Sequence, residues 1–207
     1  TVPGGGRIVF ETGVPPPVPV FFSVTAEHTL RVTPTELTGE AVLQVVVLQG
    51  RPETLVVGIE GEGEVVAVGG SALRDWSIRQ RGTGSSASRW LVLRPVLPEN
   101  GDGPRSLDFK VQFRRAGPPL PGLWRIPLVV AGEAAGFVAR CRVAPDARVD
   151  VRLVALAGAS ALAREEKAGR DLLFALRRDA RIEIEVTGRG ASAREVELME
   201  TRVSGVL

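Results

Sequence analysis

The sequence predicts an all-β fold, an antiparallel, immunoglobulin-like β-sandwich followed by a second, smaller β-region. Strand-like segments recur about every 8–12 residues, with glycine and proline between them, as is typical of sandwiches. Residues 106–115 alternate strictly between apolar and polar side chains, which is the pattern of a strand with one buried face. Hydrophobic residues make up 44% of the 207 residues, enough for a sizeable core.

Three parts are predicted along the chain. Residues 1–17 form an extended lead-in, because their prolines and glycines disfavour a central strand. Residues 18–145 form the β-sandwich domain. Residues 146–207 form either a smaller β-domain or strands added to the first, with one short helix. The boundary falls at Ala144-Pro145-Asp146, between two strand-like segments.

The strands of the first two parts are recognised by alternating or nearly continuous apolar residues. They are residues 7–10 (an edge strand), 20–25, 30–33, 41–49, 55–59, 65–68, 75–79, 89–94, 106–115, 124–130 and 136–143. The run at 41–49 is almost wholly apolar, which predicts a strand buried on both faces or packed inside a sandwich. Segments 55–59 and 65–68 flank a Glu-Gly turn at 60–64 and predict a hairpin.

The segment from Arg74 to Arg115 is predicted to carry the core. It contains three strands separated by polar turns, and the third, residues 106–115, is the most regular. Its tryptophans and phenylalanines lie at alternate positions, as expected of side chains that share one buried face. They are Trp76, Trp90, Phe109 and Phe113.

The C-terminal part is predicted to contain strands at residues 149–156, 172–176, 181–186 and 194–202. Between the first two lies a predicted helix at 160–169, with Ser160 as its N-cap and Gly169 at its end. Arginine and glutamate alternate along 181–185 and 194–200. Charged strands of this kind are typical of sheet edges, so we expect them at an edge or a domain junction.

Composition excludes several classes of partner. The formal net charge is +2, and basic and acidic residues are interleaved along the chain, which argues against nucleic-acid binding. No apolar run approaches the ~20 residues that span a bilayer, so we expect no direct membrane insertion by this chain. A single cysteine excludes an intrachain disulfide. The chain begins without Met and ends inside a strand-like segment, which favours a processed protein or a piece of a longer one.

Few side chains point to chemistry, and the sequence predicts no catalytic, cofactor-binding or metal residues and no cofactor. His28 is the only histidine and is expected at the surface, without the partners of a nucleophilic site. Cys141 shares a face with apolar residues and is expected to be buried and inert. One histidine and one cysteine cannot assemble a zinc site of the usual ligands.

The remaining candidates are better explained as turns. Glu60, Glu62 and Glu64 are expected at an exposed hairpin tip and not at a cation site, because their like charges repel. The glycines at 58–63 lack the order of a phosphate-binding loop. Residues 99–102 supply too few oxygens for calcium, and residues 84–88 lack the pattern of a nucleophile elbow.

The three tryptophans leave two interpretations open. Trp76, Trp90 and Trp124 alternate with polar residues, so they share faces with aliphatic side chains and favour core packing. A sugar-stacking platform is the alternative. The absence of tyrosine disfavours a binding surface built from amphipathic aromatic side chains.

The order of segments 89–95, 106–115, 124–130 and 136–150 resembles the β-rich extracytoplasmic parts of long uncharacterised bacterial envelope proteins. That resemblance implies a periplasmic or cell-surface location and a modular role, and it carries no site residues. The arginine-rich, lysine-poor composition is typical of a GC-rich bacterial gene.

The predicted function is therefore a non-enzymatic structural or protein-interaction module of a larger cell-envelope protein. Its partner would be another protein or a neighbouring β-domain of the same polypeptide. A carbohydrate-binding β-sandwich module is the alternative, which exposed tryptophans would favour. An enzyme of unusual chemistry is a third possibility, which a deep pocket with converging carboxylates would favour.

Overall fold

The structure is a computed structural model that describes residues 19–82, 88–96, 105–163 and 169–189. Within these ranges the chain is all-β, with twelve strands and no helix. The strands are β1 (Phe21–Val32), β2 (Glu36–Gln49), β3 (Leu55–Glu60), β4 (Glu64–Gly69), β5 (Leu73–Arg81), β6 (Ser88–Pro95), β7 (Arg105–Ala116), β8 (Gly122–Arg125), β9 (Leu128–Val130), β10 (Gly136–Pro145), β11 (Val149–Ala161) and β12 (Leu172–Gly188).

The strands form two sheets arranged as a sandwich. The large sheet has eight described strands in the order β11-β12-β10-β1-β2-β7-β4, with β8 paired to β12. The small sheet has the order β5-β6-β3-β9. The small sheet is antiparallel, whereas the large sheet is mixed, because β1 and β10 pair in parallel. The predicted sandwich-like all-β fold is confirmed, but a purely antiparallel sandwich is wrong. The immunoglobulin-like topology stays a prediction.

Period-2 patterning explains how the large sheet forms its core face. Along β7, Leu107, Phe109, Val111 and Phe113 are buried while the residues between them are exposed. β2 alternates in the same way, so residues 41–49 are not buried on both faces: Val42 and Leu48 are exposed on the outer side. The apolar face of the large sheet packs against the apolar face of the small sheet, since only one face of each strand can reach the opposing sheet.

The segment from Arg74 to Arg115 does not form one three-stranded unit. β5 and β6 pair with each other in the small sheet, whereas β7 lies in the large sheet between β2 and β4. Residues 55–68 do not form a hairpin either, because β3 belongs to the small sheet and β4 to the large one. The chain between them crosses from one sheet to the other.

The C-terminal strands extend the large sheet. β12 pairs with β11 along both of its halves, and on its other side it pairs with β10 through the first half and with β8 through the second. Residues 181–185 are therefore central and not at a sheet edge, so the edge position expected for them is wrong, while a domain junction there stays a prediction. Ser160 and Ala161 end strand β11, which excludes the helix start predicted there. The division into two domains stays a prediction.

Several predicted elements lie outside the described residues. They are the lead-in at 1–17 with its edge strand at 7–10, the core of the predicted helix at 164–168, and the strand at 194–202. The two strands predicted at 20–25 and 30–33 are one continuous strand, β1.

We expect Phe109→Ala to lower the free energy of unfolding by about 3–5 kcal/mol, because Phe109 is 1% exposed and the truncation leaves a cavity. Lys110→Ala is the matched control. Its ammonium pairs with Glu40 at 2.5 Å, but both side chains are largely solvated, so the cost should stay below about 1 kcal/mol. Urea denaturation measures both, and equal midpoints would contradict the assigned faces of β7.

Candidate functional site

The described residues enclose a cleft of about 980 Å³. Its floor is the outer face of the small sheet, where Gly58, Trp90 and Val130 lie side by side on β3, β6 and β9. Residues of β11 and β12 form the opposite wall, and the crossing segment between β3 and β4 closes one end. We call this concavity the outer cleft.

The crossing segment is held by one arginine. The guanidinium of Arg89 donates to the carbonyl oxygens of Gly61 and Gly63, at 2.7 and 2.5 Å. Gly61 has a φ of 76°, and a side chain there would collide with the carbonyl oxygen of Ile126. Only glycine fits both the left-handed backbone and this close approach. The arginine and the glycine together fix the end of the outer cleft.

Charges in the outer cleft are mutually compensated. Four arginines and four glutamates line it: Arg89, Arg125, Arg178, Arg181, Glu60, Glu62, Glu133 and Glu183. Arg181 pairs with Glu60 at 3.3 Å and Arg125 with Glu183 at 3.7 Å, while Glu62 pairs with an arginine just outside, Arg115, at 2.5 Å. Three of the four carboxylates thus face arginines and do not converge on one another. That arrangement is unlike a pair of catalytic acids, which work side by side across a reacting bond.

The three tryptophans occupy three different environments. Trp124 is fully buried in the core and Trp76 packs partly against it, as core packing predicts. Trp90 instead lies on the outer face of the small sheet, half-buried, with Gly58 directly opposite it on β3. The Val130 side chain lies over Gly58, and together with the indole it forms part of the floor of the outer cleft.

His28 is buried, so the surface position predicted for it is wrong. Its ring links the two sheets: Nδ1 donates to the carbonyl oxygen of Arg140 at 3.1 Å, and Nε2 accepts from the backbone N–H of Val129 at 2.9 Å. These contacts fix the neutral tautomer with the proton on Nδ1. Burial lowers the pKa of His28 from 6.5 to about 4. The sequence did carry the signal, because His28 falls on the inward-facing positions of β1 with Ala26 and Leu30.

Cys141 is buried, as predicted, and lies opposite His28 in the parallel pair of β1 and β10. Burial raises the pKa of its thiol to about 12, which disfavours the reactive thiolate. Among the described residues no group of three or more histidine, cysteine or acidic side chains could hold a metal ion. The same residues include no helix long and apolar enough to cross a membrane.

The predicted turns have mixed outcomes. Glu60, Glu62 and Glu64 do not share a hairpin tip: Glu60 and Glu62 pair with arginines at the outer cleft, and Glu64 begins β4. Residues 99–102 lie outside the described residues, as does most of the segment 84–88, whose last residue, Ser88, begins β6.

The open edges of the two sheets differ in regularity. Within the described residues, β4 carries a bulge between Val65 and Ala67, and β11 carries two register shifts. β9 has three residues, and its central N–H already binds His28. β5, by contrast, pairs with β6 over seven consecutive residues from Asp75 to Arg81 without an irregularity. β5 has one register shift of its own, between Leu73 and Asp75, but its regular stretch from Asp75 to Arg81 is the longest among the open edges of the described residues.

Side chains on β5 are unusually exposed for a sandwich strand. The cross-strand partners of Trp76 and Ile78 are Leu93 and Leu91, so both side chains lie on the core-facing side. Ile78 is nevertheless 40% exposed, and Trp76 is only partly buried. The opposing sheet does not cover them fully, which leaves a strip of apolar surface beside the open backbone of β5.

No protein-family model and no curated protein matches this chain. Solved structures of leukotriene A4 hydrolase from yeast, Saccharomyces cerevisiae, are similar to it at 10–13% identity. The native enzyme has a TM-score of 0.40 over 80% of this chain and 29% of the hydrolase. The complex with bestatin has a TM-score of 0.42 over 79% and 28%. The chain thus spans less than a third of these hydrolases, and the similarity is too low to assign it an activity.

We expect acid to destabilise the protein through His28. Its folded pKa of about 4 lies below the ordinary value of 6.5, so the unfolded chain takes up the proton first as the pH falls. The contribution is complete above pH 6.5 and is lost between pH 6.5 and 4, by about 3 kcal/mol at most. Asp146 does not overlap with this window. Arg148 and Arg31 lower its pKa to about 2, so it titrates at lower pH.

His28→Gln is the matched variant for this pH effect, because an amide can still accept from Val129 and donate to Arg140 but does not titrate. Urea denaturation at several pH values between 7 and 4 should show a shallower loss of stability in the variant than in the native protein. Parallel pH profiles would show that His28 does not control the acid stability.

Proposed function

We propose that this chain is a non-enzymatic protein-interaction module of a larger bacterial cell-envelope protein, and that it works outside the cytoplasm. It docks a strand of another β-domain, from a partner protein or from the same polypeptide, along the open edge of β5. The observation that carries this function is the contrast between β5 and the other described edges.

An exposed sheet edge offers unpaired N–H and C=O groups that pair with any compatible strand, so natural proteins protect edges that should stay unpaired. Bulges interrupt the ladder on β4 and β11, and shortness and the His28 contact protect β9. β5 lacks such protection from Asp75 to Arg81. Main-chain pairing at an edge of this kind supplies affinity, and alternate side chains supply specificity.

The distribution of reactive groups supports the non-enzymatic part of the proposal. The one histidine and the one cysteine of the sequence, His28 and Cys141, are buried between the sheets and lie away from the outer cleft. Three of the four carboxylates of the cleft, those of Glu60, Glu62 and Glu183, are paired with arginines. The envelope location is supported by the resemblance in strand order and by the interleaved surface charge, which suits neighbouring protein domains better than nucleic acid.

Site-specific cross-linking tests the docking edge. A photoreactive amino acid replaces Gln80 on β5 in the full-length protein, in the cells that produce it, and Val138 serves as the control because it is 64% exposed on β10 of the large sheet. We expect one defined adduct from position 80 and none from position 138. Equal cross-linking from both positions, or none from position 80, would contradict docking at β5.

Two proline variants separate backbone pairing from general surface contact. N–H groups alternate in direction along a strand, so of the neighbouring residues Ser77 and Ile78 one has its N–H toward β6 and the other has its N–H toward the open side. Ser77→Pro and Ile78→Pro each remove one of these two donors. The variant that removes the N–H facing β6 should lose stability, because it breaks a hydrogen bond of the small sheet. The variant that removes the N–H on the open side should keep most of the melting temperature of the native protein and lose the cross-link. If that variant kept the cross-link, strand addition would be contradicted.

Carbohydrate binding is the second candidate function, and the position of Trp90 favours it. The indole lies on the floor of the outer cleft among compensated charges, and a flat aromatic surface with nearby donors and acceptors suits a neutral sugar ring. Titration with cello-, malto- and chito-oligosaccharides, followed by tryptophan fluorescence, discriminates the two functions. A saturable change that Trp90→Ala abolishes and Trp76→Ala preserves would establish the carbohydrate function, whereas we expect no saturable change.

A further inference from the structure

We infer that β5 selects an extended segment of a separate polypeptide in which acidic residues alternate with apolar ones. This inference rests on the proposed function, since it names the chemistry of the strand that docks there. It follows from the two faces of β5, which present different side chains at the same open edge.

The outer face of β5 carries two arginines that pair with no carboxylate of the described residues. Arg79 and Arg81 have Trp90 and Ser88 as cross-strand partners, which assigns both arginines to the side away from the core. Both are exposed, and no carboxylate of the described residues pairs with either one. The acid of the same strand, Asp75, is already bound to Arg94 at 2.5 Å.

The core-facing side of β5 carries the apolar strip formed by Trp76 and Ile78. A strand added at this edge would place its own alternate side chains directly beside those of β5, on the same two faces. Apolar side chains would cover Trp76 and Ile78. Acidic side chains two residues apart would lie beside Arg79 and Arg81, where like charges would repel and opposite charges attract.

This complementarity distinguishes the incoming strand from a second copy of β5. Antiparallel pairing of β5 with a second copy about Ser77 would place Arg79 opposite Asp75, which Arg94 already binds, and would leave Arg81 opposite Leu73 without a carboxylate. Residues 194–200 of the chain have an acidic-apolar alternation at Glu195, Val196, Glu197 and Leu198, so the chain's own C-terminal segment is the main competitor for the edge. The experiment below separates these three occupants.

The probe is a synthetic ten-residue peptide in which Glu alternates with Val, and its control has Lys in place of Glu. Binding to the intact chain is measured by fluorescence anisotropy, and the edge is located by amide hydrogen exchange. We expect the Glu peptide to bind, to protect amides of β5, and to bind more weakly as salt rises. We expect the Lys peptide not to bind.

The decisive variant is Arg79→Glu/Arg81→Glu, which should weaken binding of the Glu peptide by about tenfold or more. Arg140→Glu/Arg177→Glu is the matched control, because it makes the same change of charge at two exposed arginines on β10 and β12. That variant should bind the peptide as the native chain does. Equal binding by both variants, or binding of the Lys peptide with similar affinity, would overturn the inference.

Two further outcomes would also overturn it. If the intact chain forms dimers in sedimentation experiments and Arg79→Glu/Arg81→Glu abolishes them, the occupant is a second copy. If the Glu peptide binds only after residues 190–207 are removed, the occupant is the chain's own C-terminal segment. Cross-linking from position 80 does not depend on the charge of the partner, so a persistent cross-link with no peptide binding would refute the partner chemistry and leave docking at β5 intact.

Discussion

The contact on which the sandwich depends most visibly is the pair of hydrogen bonds made by His28. It is one of two polar side chains buried among the described residues, and its ring joins β10 of the large sheet to β9 of the small one. Without it, the N–H of Val129 would be a buried donor at the edge of a three-residue strand, which costs about 1–3 kcal/mol. Apolar packing holds the sheets together, whereas the imidazole fixes where the small sheet ends against β1.

That contact also explains the asymmetry of the molecule. At the β9 side the sheets are joined by a specific polar bridge, and β12 adds further cover from the C-terminal part. At the opposite side the short turn from β4 to β5 joins the sheets, and β5 extends beyond the cover of the large sheet, so that Ile78 remains partly solvated. The closed side supplies rigidity, and the open side supplies the regular edge that the proposed function uses.

Strand positions could be predicted from the sequence, but sheet membership could not. β7 matches its predicted range to within one residue at each end, because alternation is a local property. The Glu-Gly segment before β4 has the composition of a hairpin turn, yet Arg89 and the close approach of Ile126 make it a crossing between sheets. Those partners are distant in sequence. The sequence pattern predicts two strands, at 20–25 and 30–33, with His28 in the loop between them. The buried position of His28 follows only when the alternation is followed through the whole of β1.

The size of the β5 edge bears on the kind of partner it can hold. Cross-strand side-chain pairs contribute about 0.2–1 kcal/mol each, and seven residues of β5 are regular, so strand addition there would be weak between freely diffusing molecules. The same interaction becomes effective when a linker holds the two strands at millimolar effective concentration or when several modules bind together. A weak, regular, charged edge is therefore better suited to a partner polypeptide that binds several modules at once than to a partner that binds this edge alone with high affinity. The matching of charge and apolar surface on the two faces of β5 would then select the correct partner strand among many others.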